Sequence, residues 1–216
     1  MKQKPKILVV GSGIIGASIA LSCVNLGADV VVLEQNKLGG AASSNSFGWI
    51  NASFAESPAY FDLRNAAVST FRNLKTELNL NDSVSWQGAL WWEDSGRELK
   101  KQFNNLLDRG YAAKLLNKSE IKSLEPNLKD VPEAAIFTPL EGAAEADRVA
   151  LTMMSKLTDQ GGKVISGCKV EGLKFKKGRV SSVQTNIGEM SCDMVALATG
   201  AAAVKSLLGF EWNLPL

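Results

Sequence analysis

The chain has no histidine among its 216 residues, and that absence excludes more than any other compositional feature. Ser-His-Asp and Cys-His nucleophilic catalysis both need an imidazole base, so neither is available. Catalytic zinc sites are built mainly on imidazole ligands, so no metal site is expected within the chain. Cysteine is scarce: Cys23, Cys168 and Cys192 lie far apart and form no CxxC pair. An odd, unpaired set suits a reducing compartment. Excess charge is lacking too, since 24 Lys and Arg against 22 Asp and Glu leave a net charge of +2. Such a balance supplies no broad attraction to nucleic acid or to an anionic membrane. No apolar run is long enough to span a bilayer. The basic start MKQKPK leads into a short apolar run ending in glycine, which is not a signal-peptide core. The expected location is cytoplasmic. An enzyme made from this chain would need a cofactor for its hard chemistry.

With 45% apolar and 21% charged residues, the chain has an ordinary globular composition and the length for one large domain or two small ones. Its organising stretch is Lys6–Gln35, KILVVGSGIIGASIALSCVNLGADVVVLEQ. Ile7–Val10 form an apolar run typical of a parallel strand buried on both faces. Gly11, Gly13 and Gly16 then spell G-x-G-x-x-G. The first glycine permits the turn, the second a close backbone approach to pyrophosphate, and the third close packing of helix on strand. The following helix, with Ile14 and Ile15 in its first turn, directs free N–H groups and the positive dipole end toward phosphate. A second strand, Asp29–Leu33, delivers Glu34, 34 − 16 = 18 positions after Gly16, where a carboxylate can accept ribose hydroxyls. The fingerprint predicts a dinucleotide and leaves NAD and FAD both open.

GGAASSNSFGWINASF (Gly39–Phe54) follows, rich in small residues and hydroxyls. Phe47, Trp49, Ile50 and Phe54 are too apolar for a solvated linker, so a loop wrapped over a cofactor is the preferred reading. Pro58–Asn79 reads as a helix with Leu63, Ala67, Phe71, Leu74 and Leu78 on its apolar face. Arg64 reads as a solvated flank residue rather than a carboxylate clamp. Ser83–Glu93 is a strand or bulged pair broken at Gly88. Its Trp86, Trp91 and Trp92 suit sheet-to-helix packing, with a substrate-pocket wall as the alternative. Ser95–Arg109 is a second helix closed by Gly110. A short strand at Tyr111–Leu116 comes next, then a helix Glu120–Leu124 capped by Ser119. Ala134–Thr138 forms a strand and Asp147–Gln160 a helix. Strands at Lys163–Ser166, Lys169–Phe175, Val180–Thr185, Met190–Cys192 and Met194–Thr199 complete the pattern.

Four of these stretches, VVGSGIIGASIA, VVVLEQ, GGAASSNSFGWI and VALATG (Val195–Gly200), resemble the D-amino-acid oxidase superfamily of FAD enzymes. The resemblance is nearest to its glycine oxidase and sarcosine oxidase-like branch. It implies FAD as cofactor and an α/β fold: a Rossmann-like FAD/NAD(P)-binding domain with a β-meander, plus part of an antiparallel-sheet substrate domain. The implied division is residues 1–80 and 143–216 for the cofactor domain and 81–142 for the substrate domain. The implied cofactor residues are Gly11, Gly13, Ile14, Ile15 and Gly16 at the pyrophosphate and Glu34 and Gln35 at the ribose. Ala42, Ser43, Ser44, Phe47, Gly48 and Trp49 fall along the flavin side. Val170 falls at the adenine, and Thr199 and Gly200 at the last contacting strand. The family's D-P-x-R-L boundary is altered here, with Glu145 and Ala146 replacing aspartate and proline while Arg148 is kept. Asp147 becomes the alternative helix cap.

The resemblance further implies oxidation of the C–N bond of a small amine or amino acid of the glycine, sarcosine or D-amino-acid type. It names no catalytic residue in this stretch. Glu211–Leu216 resembles the point where relatives re-enter the substrate domain. The expectation is therefore an N-terminal portion, working with a complementing C-terminal half or subunit, with strands such as Trp86–Trp92 and Ala134–Thr138 short of partners. A non-catalytic FAD-binding subunit or inactive remnant is the first alternative. An NAD(P)-dependent dehydrogenase is the second.

Overall fold

The computed structural model describes residues 4–200; the expected re-entry at Glu211–Leu216 lies outside them. In chain order, β1 (Lys6–Val10), α1 (Ile14–Asn25), β2 (Asp29–Glu34) and the single-turn α2 (Ala41–Ser44) come first. There follow β3 (Trp49–Ile50), α3 (Pro58–Glu77), β4 (Val84–Ser85), β5 (Ala89–Trp91), α4 (Gly96–Asp108), β6 (Lys114–Asn117), α5 (Lys118–Leu124), β7 (Ala134–Thr138) and β8 (Gly142–Ala144). The chain continues through α6 (Ala146–Asp159), β9 (Lys163–Ser166), β10 (Val170–Lys176), β11 (Arg179–Thr185), β12 (Gly188–Ser191) and β13 (Met194–Leu197).

Packing divides the chain into two units: one joins the part up to Gly48 to the part from Glu145 onward, and the other is Trp49–Ala144. In the first unit, a parallel sheet runs in the order β13-β1-β2-β9, with Ile7 and Val10 of β1 paired to Val30 and Leu33 of β2. Parallel strands need both faces covered, which explains why β1 and β2 are nearly all apolar. Leu8, Val10, Val31 and Leu33 share a core with Val170 and Val183 of the β10-β11-β12 meander and with the flanking Cys168 and Cys192. Helix α1 packs on β1, β2 and α6. The α/β class with its parallel sheet and antiparallel meander is as the sequence reading expected.

The second unit contains two three-stranded antiparallel sheets, β3-β8-β4 and β5-β7-β6. Far from lacking partners, β7 is central, paired with β5 on one side and β6 on the other. Helix α3, which the sequence reading grouped with the cofactor domain, belongs to this unit. Its Phe61 and Val68 enter a core with Trp91, Leu99, Leu106, Tyr111 and Ile136. The buried face is rotated from the expected one, leaving Leu63 66% exposed. Two arginines lie near the buried face and so disguise it in sequence. Arg72 stacks 4.2 Å from the Trp86 ring and Arg64 lies 5.3 Å from Tyr60, long stems covering apolar surface while their heads stay polar.

Helix ends follow local chemistry. Ser57 caps α3, accepting from the Tyr60 N–H with Pro58 at the first position, and Ser95 caps α4. At α5 the cap is Asn117 rather than Ser119: its Oδ1 accepts from the N–H groups of Ser119 and Glu120, while Glu120 accepts from the Asn117 N–H in return. At α6 neither Glu145 nor Asp147 caps the helix. Glu145 occupies the cap position without a side-chain bond, and Asp147 lies inside the first turn.

Candidate cofactor site

The first unit's site grows from the turn after β1. Gly11 adopts φ +104°, a left-handed geometry suited to glycine, and a Cβ there would stand 2.3 Å from the Ala198 carbonyl oxygen. A Cβ on Gly16 would lie 2.0 Å from the Gly11 carbonyl oxygen, so this glycine sets how closely α1 approaches the strand end. Gly13 meets a neighbour that the motif alone does not reveal. A Cβ on Gly40 would reach within 2.6 Å of the Gly13 Cα, and one on Gly13 within 3.2 Å of Ser43 Oγ. The loop after β2 therefore folds directly against the glycine turn. Ser43 Oγ accepts from the Ile14 N–H at 3.0 Å, and neither Ile15 nor Gly16 has an intrachain acceptor for its N–H among the described residues. Those two groups stand in the first turn of a twelve-residue helix, at the positive end that favours an anion.

Glu34 closes the other side. It is 8% exposed; its Oε2 accepts from Ser12 N at 2.9 Å and Ser12 Oγ at 2.8 Å, and its Oε1 from Asn36 N at 2.9 Å. A carboxylate has about four lone-pair sites. Three are taken, and the remaining one on Oε1 fits a single ribose hydroxyl donor. The Cys168 N–H donates to the Glu34 carbonyl at 2.9 Å, so the turn leading into β10, with buried Val170 at its start, runs beside the acid. Across the sheet, Ala198 N donates to Val10 O, bringing Thr199 against Gly11, where its Oγ1 is buried with no partner among the described residues. A cradle shaped by glycines, an anion-ready helix end, one spare carboxylate site and an orphaned buried hydroxyl together fit the AMP half of a dinucleotide.

The expected site residues therefore divide. Gly11, Gly13, Ile14, Ile15, Gly16, Glu34, Ser43, Val170 and Thr199 lie on the strand ends and turns of one unit. Gln35, Ala42, Ser44 and Phe47 are exposed on the loop, Gly48 takes φ +63°, and Gly200 is exposed after β13. Trp49 belongs to the second unit, where its indole N–H donates to Glu141 at 3.0 Å. Sequence reading missed Ser12, fully buried under Glu34, and Gly40, which the GG pair at 39–40 signalled. It also missed Glu141, which no motif marks. Cys168 and Cys192 are buried as packing residues, and burial followed by the nearby Asp193 pushes the Cys192 thiol up, away from reactive thiolate. Of the tryptophans, Trp91 is buried, Trp86 packs against the core and Trp92 is exposed.

Comparison with known proteins agrees with this geometry. A family model described as FAD dependent oxidoreductase (DAO) matches residues 6–215. The mouse protein named pyruvate dehydrogenase phosphatase regulatory subunit, mitochondrial, is 24% identical over 223 residues, 100% of this chain and 25% of that protein. Sarcosine oxidase subunit beta of Rhodobacter capsulatus is 25% identical over 224 residues, 97% of this chain and 53% of that protein. Glycine oxidase from Bacillus cereus superposes with a TM-score of 0.86 at 21% identity, covering 95% of this chain and 58% of the other. The chain thus spans between 25% and 53% of these two curated relatives. With the family model matched along nearly its whole length and the same fold in a solved member-like enzyme, the chain belongs to the DAO family of FAD-dependent oxidoreductases.

Proposed function

We propose that this chain is the FAD-binding portion of an oxidoreductase acting on the C–N bond of a small amine or amino acid. The observation that carries the reading is the cradle in which Gly13, Gly40 and Ser43 close against the start of α1 while Glu34 keeps one acceptor site open. The Ile15 and Gly16 N–H groups would bind the pyrophosphate, Glu34 would hold the ribose, and the backbone near Val170 would flank the adenine. Thr199 Oγ1 would gain the partner it lacks. The loop Ala42–Trp49 would run along the flavin. When bound, FAD supplies the acceptor for a hydride from the substrate carbon, which suits a chain without an imidazole base. The residues of this cradle bind and orient the cofactor. The glycine, sarcosine and D-amino-acid substrate class rests on the names of the relatives.

The test is anaerobic mixing of the FAD-loaded chain with sarcosine, glycine and D-alanine while the flavin absorption band is followed. Bleaching by any of them is the expected result. A flavin that stays oxidised with all of them favours a second reading, a non-catalytic FAD-binding subunit. The match to a protein named a regulatory subunit points the same way.

A further inference from the structure

The most heavily bonded side chain among the described residues is Glu141, fully buried just before β8. Its Oε1 accepts from Ala52 N at 3.1 Å, Ser53 N at 3.0 Å and the Tyr111 phenol at 3.1 Å. Its Oε2 accepts from the Trp49 indole at 3.0 Å and from Thr138 Oγ1 at 3.0 Å. Five donors exceed the roughly four lone-pair sites of a carboxylate, so the group is saturated. Yet no cation touches it: none of the ion pairs among the described residues includes Glu141. A buried carboxylate without a compensating cation is costly, so its compensation must come from elsewhere.

The compensation runs through a peptide group. Arg64 Nε donates to the Asn51 carbonyl at 3.1 Å, and the N–H of that same peptide unit, belonging to Ala52, donates to Glu141. In a trans peptide the C=O and N–H point in opposite directions, and the unit carries a dipole of about 3.5 D. Here its negative end faces the guanidinium and its positive end the carboxylate. Arg64 also donates to the Asn51 side-chain oxygen and, at 3.3 Å, to the Phe54 carbonyl, while Arg109 donates to the Ala55 carbonyl at 2.9 Å. Residues 51–55 therefore have carbonyls held by arginines and N–H groups held by a carboxylate.

From this geometry we infer that Arg64 and Glu141 form an ion pair relayed by the Asn51–Ala52 peptide. The pair is a positioning device that fixes the Trp49–Ala55 segment where the cofactor loop ends. The segment carries Trp49 and Phe54, whose rings meet edge-on at 5.3 Å, and Phe54 in turn lies 4.6 Å from Trp91. Arg64 is thereby given a role on the protein's own backbone instead of on a substrate carboxylate. The pair does not depend on the cofactor reading above.

Amide hydrogen exchange measured by NMR on the full 216-residue chain, without FAD, tests the relay. The Ala52 and Ser53 amides, which lie outside helix and strand, should exchange as slowly as sheet amides in the wild type. Glu141→Gln and Arg64→Met should each accelerate them roughly tenfold to a hundredfold. The double variant should add little to either single change, because each already breaks the same relay. Fast exchange in the wild type, or fully additive effects, overturns the proposal. If Glu141→Gln does not fold, Arg64→Met and the wild-type rates still decide it. Neither exchange result depends on whether the chain turns over an amine.

Discussion

Tyr111 illustrates how one residue's environment becomes a measurable property of the protein. Its phenol is 2% exposed and donates to Glu141. Burial first, and the Glu141 charge second, push its ionisation well above the ordinary phenol value. A group whose folded value is raised binds its proton more tightly in the native state, so its stabilising share is complete below the unfolded value. That share is lost as pH rises beyond about 10, the ordinary value for a free phenol. Urea denaturation across the alkaline range should show stability falling above about pH 10, and Tyr111→Phe should flatten that fall. An identical slope in the variant would contradict the assignment. At this scale the sequence was partly legible. Gly11, Gly16 and Glu34 carry their roles in their spacing, because one turn and one strand length determine where they stand. Ser12, Gly40 and Glu141 do not, because most of their partners lie 22 to 92 positions away and no local pattern encodes them.

Among the elements, strands and long helices were more legible than caps and faces. The apolar runs of β1 and β2 read as buried parallel strands, and the K-K-G turn at Lys176–Gly178 before β11 marked a hairpin. The buried face of α3 was misjudged because Arg64 and Arg72 lie near it, one bonding backbone carbonyls and the other stacked on Trp86. At α5, hydroxyl-bearing Ser119 looked like a cap, but Asn117 reaches two N–H groups and pairs with Glu120 in a capping box. The two possibilities separate cleanly. Asn117→Ala should lower stability by about 1 kcal/mol in urea denaturation, as loss of a cap does. Ser119→Ala should change it by less than about 0.5 kcal/mol. Equal losses, or a larger loss at Ser119, would contradict the cap assignment.

At the level of the whole molecule, the chain resolves into two units with separate cores: one around the parallel sheet and meander, one around Phe61, Trp91, Leu106 and Ile136. Sequence reading drew the first domain boundary at residue 80. The apolar periodicity of α3 does not say which core it will enter, and in the packing the helix falls in the unit Trp49–Ala144. Family membership and fold leave the binding competence of this stretch as the claim on which the rest depends. No described helix is long and apolar enough to cross a membrane. The most direct measurement is calorimetric titration of the purified chain with FAD, with ADP as a probe of the AMP half and NAD as a competitor, repeated on Glu34→Gln. The account predicts one FAD per chain, preferred over NAD, with affinity reduced roughly tenfold or more in Glu34→Gln as a charge-assisted hydrogen bond is weakened. Absence of heat with both FAD and ADP, or FAD affinity unchanged by Glu34→Gln, would contradict it.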